Sequence, residues 1–319
     1  MTRYIGRRLL LYFPTLLLAS LVIFAIMRVL PGDVALVILG GDQTTPRALA
    51  QAEDLRERLG LNDPLIVQYV RWVWSMVNGE FGGASIVSRE DISSIIARRL
   101  PITLELAAWT TLIAWVVSIP AGVIAAVRQN RAPDYVLRFV TLMGTALPNF
   151  WIALMLILVM LIYFEWTPPI FYRDLWEDPK EHMLKMIWPA LILAWGYSSY
   201  MTRVTRSTML EVLRQDYVRT ARSRGLREIA VVIRHALPNA MIPVLTLGGL
   251  QLATLLSGTV ILETVFSLPG MGQGIVQAAT ERDYPVIQSL VMLLVALMLT
   301  LNVVIDIIYA KIDPRISYG

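Results

Sequence analysis

The chain has 319 residues, of which 56% are hydrophobic and 16% charged, with a formal net charge of +4. Soluble domains carry about 25% charged residues, so this composition excludes an ordinary water-soluble protein, and the small positive excess lies in short loops between apolar runs, which excludes a basic nucleic-acid surface. The absence of cysteine excludes disulfides, thiolate metal sites and a cysteine nucleophile.

In chain order, Arg3, Arg7 and Arg8 precede the apolar run Leu9–Leu30. It is too long for a signal peptide, no clear A-x-A cleavage site follows it, and it reads as a retained first span. Residues 31–99 form a long connection of mixed charge that contains Gly40, Gly41, Pro46, Gly60, Pro64 and a Gly79–Gly83 cluster. Between these breakers lie two helical patterns, Leu49–Leu59 and Leu65–Val77. The connection reads as a small folded extracytoplasmic subdomain, although Tyr69, Trp72 and Trp74 would equally suit a membrane interface. Further apolar segments follow at Pro101–Val127, Phe139–Phe164, Met186–Thr202, Ala236–Leu262 and Tyr284–Tyr309. A helix rises ~1.5 Å per residue, so the longer runs can cross a hydrocarbon core of about 30 Å. The fourth span, with Tyr197, Ser198, Ser199 and Tyr200, is short and polar. Pro120, Pro148, Pro189 and Pro243, with Gly122, Gly144, Gly196, Gly248 and Gly249, promise kinked, closely packed helices.

Loop charge orients the bundle. Arg128, Arg131 and Arg138 oppose only Asp134 after the second span, and residues 203–235 hold eight arginines against Glu211, Asp216 and Glu228. Residues 165–185 hold five acids and three bases, and the last loop offers only Glu281, Arg282 and Asp283. The two arginine-rich loops are therefore expected in the cytoplasm together with both termini. The expected organisation is 1–30 as N-terminus and first helix, 31–99 as outer subdomain, 100–312 as membrane core with an inner segment at 203–235, and 313–319 as an inner tail.

Catalytic chemistry is hard to find. There is no Walker-A pattern, no H-E-x-x-H and no G-x-S-x-G, so neither a nucleotide site nor a hydrolase site is expected. His182 and His235 have no partners at metal-ligand spacing, so no metal site is expected. Arg28, Glu105, Glu263 and Asp306 lie within about two turns of span ends, where charged side chains can reach water. Asn149 beside Pro148, and Gln251 in the fifth span, are polar candidates for a solute path, with helix packing as the competing reading. In the inner segment, Tyr217, Val218 and Ala221 share a helical face while Arg219, Arg222 and Arg224 point largely elsewhere. Gly225 suits the left-handed residue that ends such a helix, and Pro238 suits the first turn of the next. The apolar face is expected to press into a groove on a partner.

This inner segment resembles the coupling motif of bacterial ABC-importer permeases, E-A-A-x-x-x-G-x9-I-x-L-P. Ala221, Gly225, Leu237 and Pro238 match at the right spacing; Arg219, Thr220 and His235 replace the Glu, the first Ala and the Ile. Such replacements are typical of the dipeptide/oligopeptide/nickel permease family, and other stretches resemble its first, B-type subunit. They are Leu59–Pro64 with Gln68-Tyr69, Arg99–Leu106, Glu263–Gly272 and the closing Asp313-Pro314-Arg315.

The resemblance implies an all-α integral membrane protein of six transmembrane helices, with the type I ABC importer permease fold and an extracytoplasmic insertion between helices 1 and 2. It implies a multi-pass protein of the bacterial inner membrane, surrounded by lipid. The implied partners are a homologous second permease in a heterodimer, two cytoplasmic ATPases that use ATP and Mg, and an extracytoplasmic substrate-binding protein. No cofactor would be bound by this chain, and it would catalyse nothing itself. Tyr217, Val218, Arg219, Ala221, Arg222, Gly225, Leu237 and Pro238 would couple to an ATPase. Phe266, Pro269, Gly270, Met271 and Gly272 would face the binding protein. The cargo would be a peptide or a related small solute such as a nickel chelate, glutathione or an oligosaccharide. The alternative is an ion-coupled secondary transporter of small solutes. Such a carrier calls for ionisable groups at mid-span, which these runs lack.

Overall fold

A computed structural model describes residues 2–29, 50, 53, 56, 57, 60 and 62–312. Most of the helical pattern at 49–59, the earlier part of the first outer loop and the closing 313–319 tail therefore lie outside the described residues. The helices, in order, are α1 (Thr2–Val29), α2 (Leu65–Val77), α3 (Ile92–Val127), α4 (Ala132–Ala146), α5 (Asn149–Phe164), α6 (Pro179–Val212), α7 (Asp216–Ser223), α8 (Leu237–Val265), α9 (Met271–Glu281) and α10 (Tyr284–Ile312). Glu228–Ala230 and a π-helical turn, Val231–Ala236, lead into α8.

Local chemistry sets several of these boundaries. Asp178 caps α6 by accepting from the backbone N–H of Lys180 and Glu181, both at 3.1 Å, and Pro179 occupies the first turn. Pro148 breaks the expected third span. Its ring disfavours a helical Leu147, which takes φ −87° and ψ 131°, and α4 and α5 meet at 101°. Further along, Pro238 has no N–H to offer the carbonyl of Arg234. The chain widens there, and the N–H of Leu237 reaches back to Val232 O.

Four runs among the described residues are long and apolar enough to cross a membrane: Arg8–Arg28, Ile92–Val127, Glu228–Val265 and Tyr284–Ile308. The bent pair α4–α5 makes up to five. The expected fourth span, inside α6, falls short on apolar character for a physical reason. Met186, Ile192, Leu193, Tyr197, Met201, Thr205 and Met209 of α6 are buried by protein, and a helix wrapped by neighbours need not be lipophilic on every side.

The chain divides into two units, one from residues within 1–7, 103–268 and 300–319, the other within 8–102 and 269–299. In the first, α6 is the hub and packs most extensively against α8 and α4. Close approach is possible because Gly248 has no side chain. A Cβ there would stand 2.7 Å from Met201 Cε and 2.8 Å from Trp115 Cζ2. The hydroxyl of Tyr197 donates to Gly248 O at 2.7 Å and accepts from Trp115 Nε1 at 3.0 Å, which ties α3, α6 and α8 together. In the second unit, Ile92, Ile95 and Ile96 of α3 form a core with Met271 and Ala278 of α9 and Val286, Ile287 and Leu290 of α10.

Candidate functional site

Two features of the first unit merit chemical description: a cleft and the short helix α7. The cleft has a volume of about 510 Å³ and lies among α4, α5, α6 and α8. Asn149 and Gln251, the two polar candidates from the sequence, both line it, with Tyr197 and Tyr200 of α6 and Thr254 and Ser257 of α8. Gly144, Gly196 and Gly258 keep its walls low. Its lining includes no charged side chain. Hydroxyls and amides can exchange hydrogen bonds with a passing solute, but no fixed charge holds one in place. Sequence reading found two of these positions. It missed Tyr200 on α6 and Thr254 and Ser257 on α8, because isolated hydroxyls on apolar helices look like ordinary packing until the opposing helix is seen.

In α7, Val218 and Ala221 are buried against Val231, with Val212 and Leu213 packed around them. Here the structure corrects the expectation that this apolar face meets a partner: it fastens the helix to its own chain. Tyr217, grouped with them on the sequence, points outward, and its hydroxyl accepts from Asn239 Nδ2 at 3.0 Å. Gly225 follows α7 at φ +76°, a left-handed conformation that costs an L-residue about 1–2 kcal/mol. Arg222 then reaches across the turn and donates to both oxygens of Glu228, at 3.0 and 2.7 Å. That carboxylate raises the Arg222 guanidinium above its ordinary value. Beyond Glu228 the helix continues through the π-helical turn and Pro238 into α8, which carries Gln251 and Thr254 of the cleft. The exposed surface of α7 and its turn is Tyr217, Arg219, Thr220 and Arg224, with Leu226, Ile229 and Ile233 exposed beside it. Those three apolar residues, at i, i+3 and i+7, were not singled out from the sequence, where they follow the motif's glycine.

Other charged residues find fixed partners. Asp134 is fully buried. It accepts from Arg206 at 2.7 and 2.9 Å, from Arg138 at 3.0 and 2.5 Å and from the N–H of Asn130 at 2.9 Å. Glu263, expected near water at a span end, is instead buried and accepts from Thr103 Oγ1 at 2.8 Å. Glu105 meets His182 Nε2 at 2.7 Å, while His182 Nδ1 faces the carbonyl of Arg173 at 3.0 Å. Lys185 donates to the carbonyls of Pro169 and Ile170. Among the described residues no group of acids and histidines could hold a metal ion.

The segment expected to face a binding protein is mostly turned inward. Phe266 is buried in the first unit; in the second, Gly270, Met271 and Gly272 are buried and Pro269 is half-buried. Arg99 donates to the carbonyl of Gly270 at 3.1 Å and to the side chains of Gln273 and Gln277 at 3.3 and 2.8 Å. The outward residues are Val276, Gln277, Ala279, Thr280, Glu281 and Arg282, on α9 and at its end.

This arrangement of helices is one already known. A solved structure titled "Inward facing conformations of the MetNI methionine ABC transporter" aligns with a TM-score of 0.55 over 69% of this chain and 96% of that one, at 16% identity. The molecule therefore has the permease fold of ABC transporters. Residues 118–318 match the family described as "Binding-protein-dependent transport system inner membrane component", and residues 1–107 match its N-terminal companion. The oligopeptide transport system permease protein AppB of Bacillus subtilis is 39% identical over 100% of both chains. The di/tripeptide transport system permease protein DppB of Pseudomonas aeruginosa is 39% identical over 100% of this chain and 99% of its own. The chain belongs to the binding-protein-dependent transport system inner membrane component family, and it is the permease subunit of an ABC importer. Such a subunit works with ATPase and substrate-binding partners in a multi-pass membrane setting.

Proposed function

We propose that this chain forms half of a translocation path for short peptides and is moved by an ATPase seated on the free face of α7. The relatives' names supply the cargo class: oligopeptides for one and di- or tripeptides for the other. The cleft chemistry agrees, because uncharged hydroxyls and amides suit a peptide backbone without selecting its side-chain charge. The other half of the path comes from a second, homologous permease. Six crossings follow if α4–α5 counts as one and α6 as another, with both termini and residues 203–235 inside and the 31–99 region outside. A binding protein delivers the peptide to the outer face. The exposed residues of α9 are its contact there, while Gly270, Met271 and Gly272 at its start are buried.

Alternating access then has a mechanical basis. ATP and Mg bind on the partner ATPases, whose closure carries α7. Because Val218, Ala221 and the Arg222–Glu228 pair fasten α7 to the start of α8, the displacement reaches Gln251 and Thr254 on the cleft wall. Hydrolysis resets the pair. A single observation carries this reading: the coupling helix is packed onto its own chain on its apolar side and exposed on its arginine and tyrosine side.

The test uses the exposed side. Arg219→Glu and Ile229→Asp alter exposed residues. In the assembled transporter both variants are expected to remain in the membrane, to lose co-purification of the ATPases and to lose at least tenfold in ATP-driven peptide uptake, about 1.4 kcal/mol of coupling. Wild-type uptake and ATPase retention in both would refute the docking role.

A further inference from the structure

Helix α2 has its polarity turned inside out. At 100° per residue, Ile66, Val70, Trp74 and Val77 fall on one stripe, and they are 77%, 59%, 64% and 74% exposed. The opposite face carries Gln68 and Ser75, which are turned into the protein. Gln68 Nε2 donates to Asp63 O at 2.7 Å, and Ser75 Oγ donates to Trp72 O at 2.7 Å while accepting from the N–H of Gly82 at 3.0 Å. A helix bathed in water shows the reverse pattern, with polar residues outside and apolar residues inside. The one charged side chain on α2, Arg71, lies off the stripe and pairs with Asp63 at 2.8 Å.

The place where α2 is attached identifies what covers the stripe. Tyr69 and Trp72 pack on α1: the Tyr69 hydroxyl lies 2.8 Å from Ser20 Oγ, and the Phe24 ring centroid lies 5.4 Å from Tyr69 and 6.1 Å from Trp72. The α1 run Arg8–Arg28 is apolar enough to cross a membrane, and Arg28, its guanidinium 5.0 Å from the Phe24 ring centroid, ends it. Ser20 and Phe24 precede Arg28 by eight and four residues, or ~12 and ~6 Å along the axis. An interfacial helix sinks its apolar face about 5–10 Å below the headgroups, which is the depth of this contact. Beside it, α1 shows Leu17, Leu18, Leu21 and Val22 outward, so the outward surfaces of the two helices on both sides of their contact are apolar.

From this geometry we infer that α2 is an interfacial helix whose Ile66–Val70–Trp74–Val77 stripe is buried at the boundary between lipid headgroups and acyl chains. Trp74 supplies the amphipathic ring favoured at that level. A protein partner is disfavoured by the stripe's chemistry, which offers a single indole N–H and no charge, whereas protein interfaces carry a polar rim.

The chain contains no cysteine, so this subunit needs no background replacements, and the partner subunits would be used in cysteine-free form. Ile66→Cys, Val70→Cys and Trp74→Cys, with Glu80→Cys as an exposed loop control, would be spin-labelled in the complete transporter. The transporter would be held in vesicles of phosphatidylethanolamine and phosphatidylglycerol and first shown to retain ATP-driven uptake. Relaxation by oxygen, which concentrates in lipid, is then compared with relaxation by a water-soluble nickel chelate. The expected result is oxygen exceeding the chelate several-fold at positions 66, 70 and 74, with the order reversed at 80. Relaxation by the chelate along the stripe would place it in water, and exclusion of both agents would place it under a partner subunit. Either result overturns the proposal.

Discussion

Asp134 shows how single residues carry this structure. Its carboxylate is fully buried, and Arg138 and Arg206 each grip it with two N–H groups. Removing the charge leaves Arg206, itself four-fifths buried, facing a neutral amide. Breaking one side of a buried pair costs about 3–5 kcal/mol, and the partial exposure of Arg138 reduces that to about 2 kcal/mol. Asp134→Asn should therefore lower the thermal midpoint of the purified assembly, and Arg206→Lys should do so by less, since a lysine keeps the charge but loses the fork. Gly248 is the packing counterpart. Its missing side chain leaves room for Met201 and Trp115, so Gly248→Ala should destabilise by about 1–3 kcal/mol, read as an earlier thermal transition. An unchanged transition would mean that the helices separate freely at this crossing.

At the scale of elements, α7 and its turn act as a lever only if they are stiff. Gly225→Pro cannot hold φ +76°, and Ala221→Trp cannot fit against Val231. Both should abolish uptake while the chain stays in the membrane, as judged by membrane fractionation. Unchanged uptake in both would argue against a rigid link. Much of this element was legible in the sequence, because a helix-terminating glycine and a helix-starting proline obey local rules. The Pro148 break was legible in kind, though not as a 101° bend. What lay out of reach was distant pairing. Thr103 meets Glu263 across 160 positions, Glu105 meets His182 across 77, and Asp134 meets Arg206 across 72. Periodicity carries no information about such pairs, so acids near span ends read as water-seeking. The α7 face was misassigned for the same reason: an apolar stripe declares that it will be covered, and only Val231, ten residues further on, shows by what.

Over the whole molecule, the path and the engine are separate. The cleft has polar but uncharged walls, and the sequence has no P-loop with which to power itself. The proposed role is to convert motion at α7 into a change of the α8 wall. The most direct measurement compares peptide uptake into vesicles by this chain alone, under a proton or sodium gradient, with uptake by the complete transporter supplied with binding protein and internal ATP. The account predicts accumulation only in the complete, ATP-supplied assembly. Gradient-driven accumulation by the chain alone would contradict it.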